Sequence, residues 1–294
     1  MKWTSSLSPL QTTLIAVDIG NSSLRAGQFN TQAMTLAVAP NEVRQWQADI
    51  ESFEELLAWL PQEPATWSIS SVNRPVEKRL SEWRRKNRGN DTYYVLEHTD
   101  IPLEIELDRP DHIGMDRLAA AMAANTMRRE NRAMIIVDAG SAITVDVLSP
   151  YGSFLGGAIL PGVSMAAEAL HHRTDQLPDV ERDGPVLPLD KLTVPPTKAS
   201  VGAVSNREGP PPVIGKSTDA AIRSGLVWGA VGALKLLIRE MGALFDESPD
   251  VVFAGGDAVL LAPMIEVMPA TYPDLVLSGI ALIEHQRKRE SDSE

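Results

Sequence analysis

The clearest pattern along the chain is a short, unbroken apolar run that ends in an acid, a glycine and small polar residues: Thr13-Leu14-Ile15-Ala16-Val17-Asp18-Ile19-Gly20-Asn21-Ser22-Ser23. Continuous apolar positions rich in Val and Ile suit a strand covered on both faces, and Gly20 permits turn geometries that a side chain forbids. The pattern returns at Met134-Ile135-Ile136-Val137-Asp138-Ala139-Gly140-Ser141-Ala142-Ile143-Thr144, where Asp138 answers Asp18, Gly140 answers Gly20 and Ser141 answers Asn21. Each copy runs on into a second strand-like stretch, Ser23 to Phe29 and Thr144 to Leu148. Two strand-turn-strand units predict a duplicated architecture with the turns facing each other across a cleft. Such turns aim backbone N–H groups at an anion while the acid holds a cation beside it, so a nucleotide suits the place between them.

The remaining periodicities place the other elements. Gly27 to Asn30 and Met34 to Val38 read as the next strands of a meander, and Ser52 with Glu55 forms a capping-box pattern ahead of a short helix ending near Pro61. Trp67 to Val72 is a strand, Pro75 opens a helix whose end carries Arg84, Arg85, Lys86 and Arg88, and Tyr93 to Leu96 is a further strand. That basic cluster reads chiefly as cations solvated at a helix C-terminus. Leu118 to Glu130 is helical, preceded by Arg109-Pro110-Asp111-His112-Ile113-Gly114-Met115-Asp116-Arg117.

In the second half, the glycines at 152, 156, 157 and 162 imply tight turns and close backbone approach, and Gly162 to His171 reads as a helix whose N-terminus is available to an anion. Asp183 to Gly215 is proline-rich without periodicity, a long loop or partly disordered excursion. A long apolar helix then runs from a Ser or Thr cap at 217 or 218 to Met241, with Gly225, Gly229 and Gly232 leaving room for close helix packing. Val251 to Ala258 is a buried strand entering the diglycine Gly255-Gly256, Asp274 to Gly279 a last strand, and Ile280 to Arg289 a closing helix. Strands alternating with helices after a meander indicate an α/β fold with mixed sheets, divided into domains 1–130 and 131–294.

Bulk properties narrow the chemistry. The chain has 294 residues and a formal net charge of -12, which argues against nucleic acid or an anionic membrane as the main partner, so a site for an anionic substrate must be locally basic. With no cysteine, disulfides, thiolate metal sites and cysteine nucleophiles are excluded. Neither a signal-length apolar run nor a membrane span is read from the sequence, and cytoplasmic residence is expected.

Arg117 stands in the first turn of a helix, where an acid is electrostatically favoured and a base is not. Its planar fork suits a carboxylate, and Asp116 beside it can accept a proton from a hydroxyl. Gly255-Gly256 would let adenine or ribose pack on backbone. Adjacent His171 and His172 point apart on a helix and carry no metal-ligand spacing. Gly215-Lys216-Ser217-Thr218 lacks the earlier glycine and leading strand of a Walker motif.

Taken in order, these segments resemble the type III pantothenate kinases of the acetate kinase/sugar kinase/Hsp70/actin superfamily. Asp18-Ile19-Gly20-Asn21-Ser22 looks like the first phosphate motif, Gly114-Met115-Asp116-Arg117 like the substrate motif, and Asp138 to Asp146 like the second phosphate motif. Gly156 to Gly162, Thr174 to Pro178, Gly215 to Thr218 and Ala254 to Ala258 complete the set. The resemblance implies two actin-like, ribonuclease H-like domains with mixed sheets flanked by helices. It also implies ATP-dependent phosphorylation of pantothenate, the first step towards coenzyme A, by a homodimer using Mg2+ and a monovalent cation, K+ or NH4+.

Carried over by position, Asp116 is the general base, and Asp18, Ile19, Gly20, Asn21, Ser22, Ser23, Leu24, Arg25 and Ser141 bind ATP. Gly114, Met115, Asp116, Arg117 and Thr218 contact pantothenate, Asp138 holds the monovalent cation, and Asp18 is the candidate for Mg2+. The departures are Ser22 and Ser141 where threonine is usual, Ser217 where Asn is common, Leu107 where many members have a substrate-contacting tyrosine, and the long proline-rich insertion. Two other readings start from those departures: a non-catalytic regulatory or accessory protein on the same scaffold, and a kinase for another small hydroxy acid.

Overall fold

The structure is a computed structural model that describes residues 13–30, 39–50, 52–180, 210–266 and 269–291. The chain divides into two compact units, one of Met1–Pro102, Ile113–Thr126 and Val276–Glu294, the other of Leu103–His112 and Met127–Leu275. A single cut between residues 130 and 131 therefore does not describe the chain, which changes units four times.

In the first unit the strands β1 (Thr13–Ile19), β2 (Ser23–Asn30) and β3 (Glu42–Gln47) form an antiparallel meander. After α1 (Glu54–Trp59), β4 (Thr66–Ser71) lies parallel to β1, and after α2 (Arg74–Asn87), β5 (Thr92–Val95) lies parallel to β4. The sheet order is β3-β2-β1-β4-β5. Leu14, Ile15, Ala16 and Val17 of β1 are all buried, which explains why its sequence runs apolar without alternation. One face packs on Leu56 of α1 and Val76 and Leu80 of α2. The helix α3 (Met115–Met127) starts three residues before the expected Leu118, and its Leu118, Ala119, Ala120, Ala121, Ala123 and Ala124 are buried.

The second unit repeats this topology. The strands β6 (Met134–Ala139), β7 (Ala142–Leu148) and β8 (Phe154–Pro161) form the meander, followed by α4 (Val163–Arg173), α5 (Thr218–Gly242), β9 (Asp250–Ala254), α6 (Ala258–Leu261) and β10 (Ala270–Thr271). β9 pairs parallel to β6 and β10 parallel to β9, giving the order β10-β9-β6-β7-β8. Val227, Val231, Leu234 and Ile238 of α5 pack on this sheet with Phe253 and Leu261. The last helix, α7 (Leu275–Ser291), returns to the first unit apart from its opening residue.

Several expectations are corrected. Residues 154–161 form a full strand: the tight turn is found at Gly152, whose N donates to Ser149 O at 3.0 Å, and the close backbone approach at Gly157, opposite Asp146, while Gly156 takes φ +98° within the strand. The capping box ahead of α1 does not form, since Phe53 is the N-cap and Ser52 Oγ accepts from Glu54 N at 3.3 Å. Asp274 to Gly279 is not a strand, because Leu275 to Gly279 form the start of α7; a short, wholly buried apolar run has the same composition in either state. β3 is an element the sequence reading lacked, while Met34 to Val38 and residues 183–209 of the proline-rich stretch lie outside the described residues. Finally, α5 is long and apolar enough to cross a membrane by length and composition, with a mean hydropathy of 1.5 over its best window; the same helix supplies the core residues named above.

Candidate active site

In the first unit, β1 delivers Asp18 one residue before the strand ends. The turn that follows is closed by Gly20 N donating to Ser23 O at 2.9 Å, leaving Asn21 and Ser22 exposed. Asp18 lies opposite Arg25 across the hairpin, and its Oδ1 accepts from Ser70 Oγ of β4 at 3.3 Å. The turn is tied down from below: Val72 N donates to Ile19 O at 3.0 Å, Asn73 Nδ2 to Gly20 O at 3.4 Å, and Ala48 N to Ser22 O at 3.1 Å. Asn73 also caps α2 by accepting from Val76 N at 3.4 Å. Ser70 and Asn73 went unremarked in the sequence. Ser68 and Ser70 are fully buried polar positions of β4, and only the parallel pairing of β4 with β1 shows what Ser70 supports.

The same unit holds Gly114-Met115-Asp116-Arg117, the stretch that resembles a substrate motif. Gly114 accepts from Arg117 N at 3.1 Å and Leu118 N at 3.3 Å, opening α3, and Asp116 Oδ1 accepts from Arg117 N at 2.9 Å. A Cβ on Gly114 would overlap that carboxylate oxygen, so the glycine is what allows the Asp116 side chain to fold back over the helix start. Asp116 and Arg117 are both half-buried.

In the second unit, Asp138 again comes one residue before its strand ends, but the echo is one residue shorter. Gly140 N donates to Ala142 O at 3.0 Å, and Asp138 lies opposite Thr144, whereas the first hairpin leaves three residues between strands. Ser141 is exposed at this turn, and its carbonyl accepts from Gly162 N at 3.0 Å, which seats the start of α4 against the turn. The diglycine is brought to the same place. Gly255 takes φ +83°, a Cβ there would overlap Asp138 Oδ1 and Ala139 O, and Asp257 N donates to Ala139 O at 2.8 Å.

Thr218 opens α5 in the second unit and is exposed, next to Ser217, whose hydroxyl caps the helix by accepting from Ala220 N at 3.2 Å. Leu107 packs against Gly156, 3.1 Å from where its Cβ would lie, and its segment is held to β8 by Glu106 N donating to Phe154 O at 2.9 Å and Phe154 N to Glu104 O at 2.8 Å.

Among the described residues no group of three or more His, Asp or Glu could hold a metal unaided. The donors fit hard cations that draw the rest of their oxygens from elsewhere: Asp18 with the Ser70 hydroxyl suits Mg2+, which keeps waters and binds through one or two carboxylates plus phosphates. Asp138 Oδ1 and the Ala139 carbonyl converge beside Gly255, an oxygen pair suited to a less demanding cation.

A five-stranded mixed sheet built twice, each copy with an acid and a glycine in the turn after its first strand, defines a duplicated α/β protein. The sequence model for type III pantothenate kinases matches residues 14–240. The type III pantothenate kinase of Desulfatibacillum aliphaticivorans is 30% identical over 276 residues, covering 92% of this chain and 97% of that protein. That of Anaeromyxobacter sp. (strain Fw109-5) is 28% identical over 281 residues, covering 94% and 100%. A crystal structure described as a conserved putative Baf family transcriptional activator from Campylobacter jejuni superimposes with a TM-score of 0.55 at 20% identity, covering 94% of this chain and 99% of that one, and shares the fold. The chain belongs to the type III pantothenate kinase family. It is a kinase, and its reaction is ATP-dependent phosphorylation of pantothenate on the route to coenzyme A.

Proposed function

We propose that Asp116 is the general base of this reaction, taking the proton of the pantothenate hydroxyl as the γ-phosphoryl group is transferred. The observation that carries this is its carboxylate folded over Gly114 at the start of α3, next to an arginine in a position where helix electrostatics do not favour one. Arg117 would pair with the pantothenate carboxylate, with Gly114, Met115 and Thr218 completing the substrate contacts. The hairpin from Asp18 to Arg25 would hold the phosphates together with Ser141. Phosphoryl transfer asks a protein mainly to align donor and acceptor and to neutralise charge, which exposed turns held from below are suited to do.

Mg2+ bound with ATP at Asp18 would neutralise phosphate charge, and a monovalent cation, K+ or NH4+, would bind at Asp138. The working form would be a cytoplasmic homodimer. Its support is α5, whose best apolar window is only 33% buried within the chain, so that Ala221, Gly225, Gly229, Gly232 and Leu236 form an exposed apolar stripe that a second copy can cover. The purified protein with ATP, Mg2+, K+ and pantothenate should release ADP, and Asp116→Asn should slow it by about 10²- to 10⁴-fold. A mutant turning over at the wild-type rate would remove Asp116 from the mechanism.

A further inference from the structure

The closing helix α7 touches two elements that carry the candidate site of the first unit. Gly279 is buried, and its missing side chain makes room for the backbone of α3: a Cβ there would overlap the carbonyl oxygen of Ala119 and lie 3.0 Å from its Cα. Ala119 stands one helical turn beyond Asp116. Two residues before Gly279, Leu277 reaches β2, its Cδ1 3.3 Å from where a Cβ on Gly27 would lie, with Pro40 Cβ 3.1 Å from the same point. α7 is thus seated between the strand leaving the phosphate turn and the helix carrying Asp116 and Arg117.

The two contacts differ in stiffness. Leu277 can yield by turning its side chain, whereas the Ala119 carbonyl moves only with α3 itself, because close-packed interiors pass on displacement. The far half of α7 is anchored as well. Glu284, 1% exposed, pairs with Arg287 at 3.0 Å and Lys288 at 3.6 Å, and Lys288 Nζ donates to Thr66 Oγ1 of β4 at 3.0 Å. The Arg287 guanidinium lies 3.9 Å over the Tyr94 ring, whose hydroxyl donates to Asp100 at 2.9 Å. With its far half held in this way, the helix resists sliding to absorb a push at Gly279.

We propose that Gly279 is a positioning residue: its backbone contact with Ala119 sets where α3 stands and hence where Asp116 and Arg117 meet the acceptor. This rests on the role given to Asp116 and Arg117 above. The test is Gly279→Ala in the full-length protein, read by hydrogen exchange of the 114–122 peptide and by steady-state kinetics. Exchange in that peptide should speed up about tenfold with α2 unchanged. kcat/KM for pantothenate should fall about tenfold to a hundredfold while KM for ATP stays put. Leu56→Val, a core change in α1, should lower thermal stability and move neither readout.

Wild-type exchange at 114–122, or altered exchange with unaltered kinetics, would overturn the proposal. Should Gly279→Ala not fold, a variant that loosens the anchored far half of α7 decides. Lys288→Met removes the hold of α7 on Thr66 and should raise exchange at 114–122 about threefold; no change there overturns the coupling. If exchange responds but the wild type does not phosphorylate pantothenate, the seating of α3 on α7 stands and the role of Asp116 falls.

Discussion

The carboxylate of Asp116 occupies the space that a side chain on Gly114 would fill, its Cγ 3.5 Å from where that Cβ would lie. The glycine is therefore required by the acid rather than by its own backbone angles. Gly114→Ala should push the carboxylate off its place while leaving the helix start intact. kcat should drop about 10²-fold, with a much smaller change in thermal midpoint. Parallel kinetics and thermal unfolding check this, and a variant with wild-type kcat would show that the contact does not matter to turnover.

Gly255 and Gly256 are neighbours with opposite requirements. Gly255 combines φ +83° with a Cβ position that collides with Asp138 Oδ1 and the Ala139 carbonyl, whereas nothing lies within 4 Å of a Cβ on Gly256. Gly255→Ala should cost more than about 2 kcal/mol in denaturant titration because it displaces Asp138, and, with K+ held at Asp138 as proposed above, should weaken K+ activation in the ADP-release assay. Gly256→Ala should be close to neutral in stability. Equal effects of the two substitutions would contradict this account of the diglycine.

What was legible in the sequence follows from local physics. β1 and β6 announced themselves because a strand buried on both faces must be apolar throughout, and Asp18, Gly20, Asp138 and Gly140 because a turn after such a strand needs small and polar residues. α7 misled because Leu275 to Ser278 are all buried and a buried helix start has no polar face to show its period. The strand β8 was hidden because its glycines suggest tight turns as readily as close backbone approach; Gly157 makes the close approach, to Asp146, and Gly156 is needed for positive φ. The support beneath the first turn, Ser70 and Asn73, was illegible for another reason. It depends on parallel pairing between strands separated by some fifty residues, which no local pattern encodes.

Asp91, 6% exposed, explains why the basic end of α2 is not an open anion site. Its carboxylate accepts from Ala65 N at 3.1 Å, Trp67 Nε1 at 2.8 Å and Arg88 Nε at 2.9 Å, while Arg84 donates to its carbonyl at 2.9 Å and Arg88 also to Glu63 O at 2.7 Å. Arg84 and Arg88 are thus committed to closing the loop between α2 and β5. Asp91→Ala leaves the mostly buried Arg88 without its counter-charge and the donors Ala65 N and Trp67 Nε1 without partners, and should destabilise the first unit by about 3 kcal/mol. Below the unfolding transition, KM for ATP and pantothenate should be unchanged, which separates this staple from the site.

The pair of Arg129 and Asp250 makes stability depend on acid. Arg129 Nε donates to both Asp250 carboxylate oxygens at 2.9 Å, and these hydrogen bonds hold the carboxyl below its ordinary range against the opposing effect of partial burial. A folded-state pKa below the unfolded value contributes stability that is fully present above the unfolded value, about 3.9, and is lost as pH falls through the folded one. Wild type should therefore exceed Asp250→Asn by a constant margin between pH 7 and about pH 5, and the margin should shrink below about pH 4. Comparing the two proteins at each pH cancels the other carboxylates they share, and denaturant titrations at pH 7, 5, 4 and 3.5 read the difference directly. Arg129→Met should show the same loss at neutral pH, and a margin that stayed flat down to pH 3.5 would exclude this pair as a source of acid sensitivity.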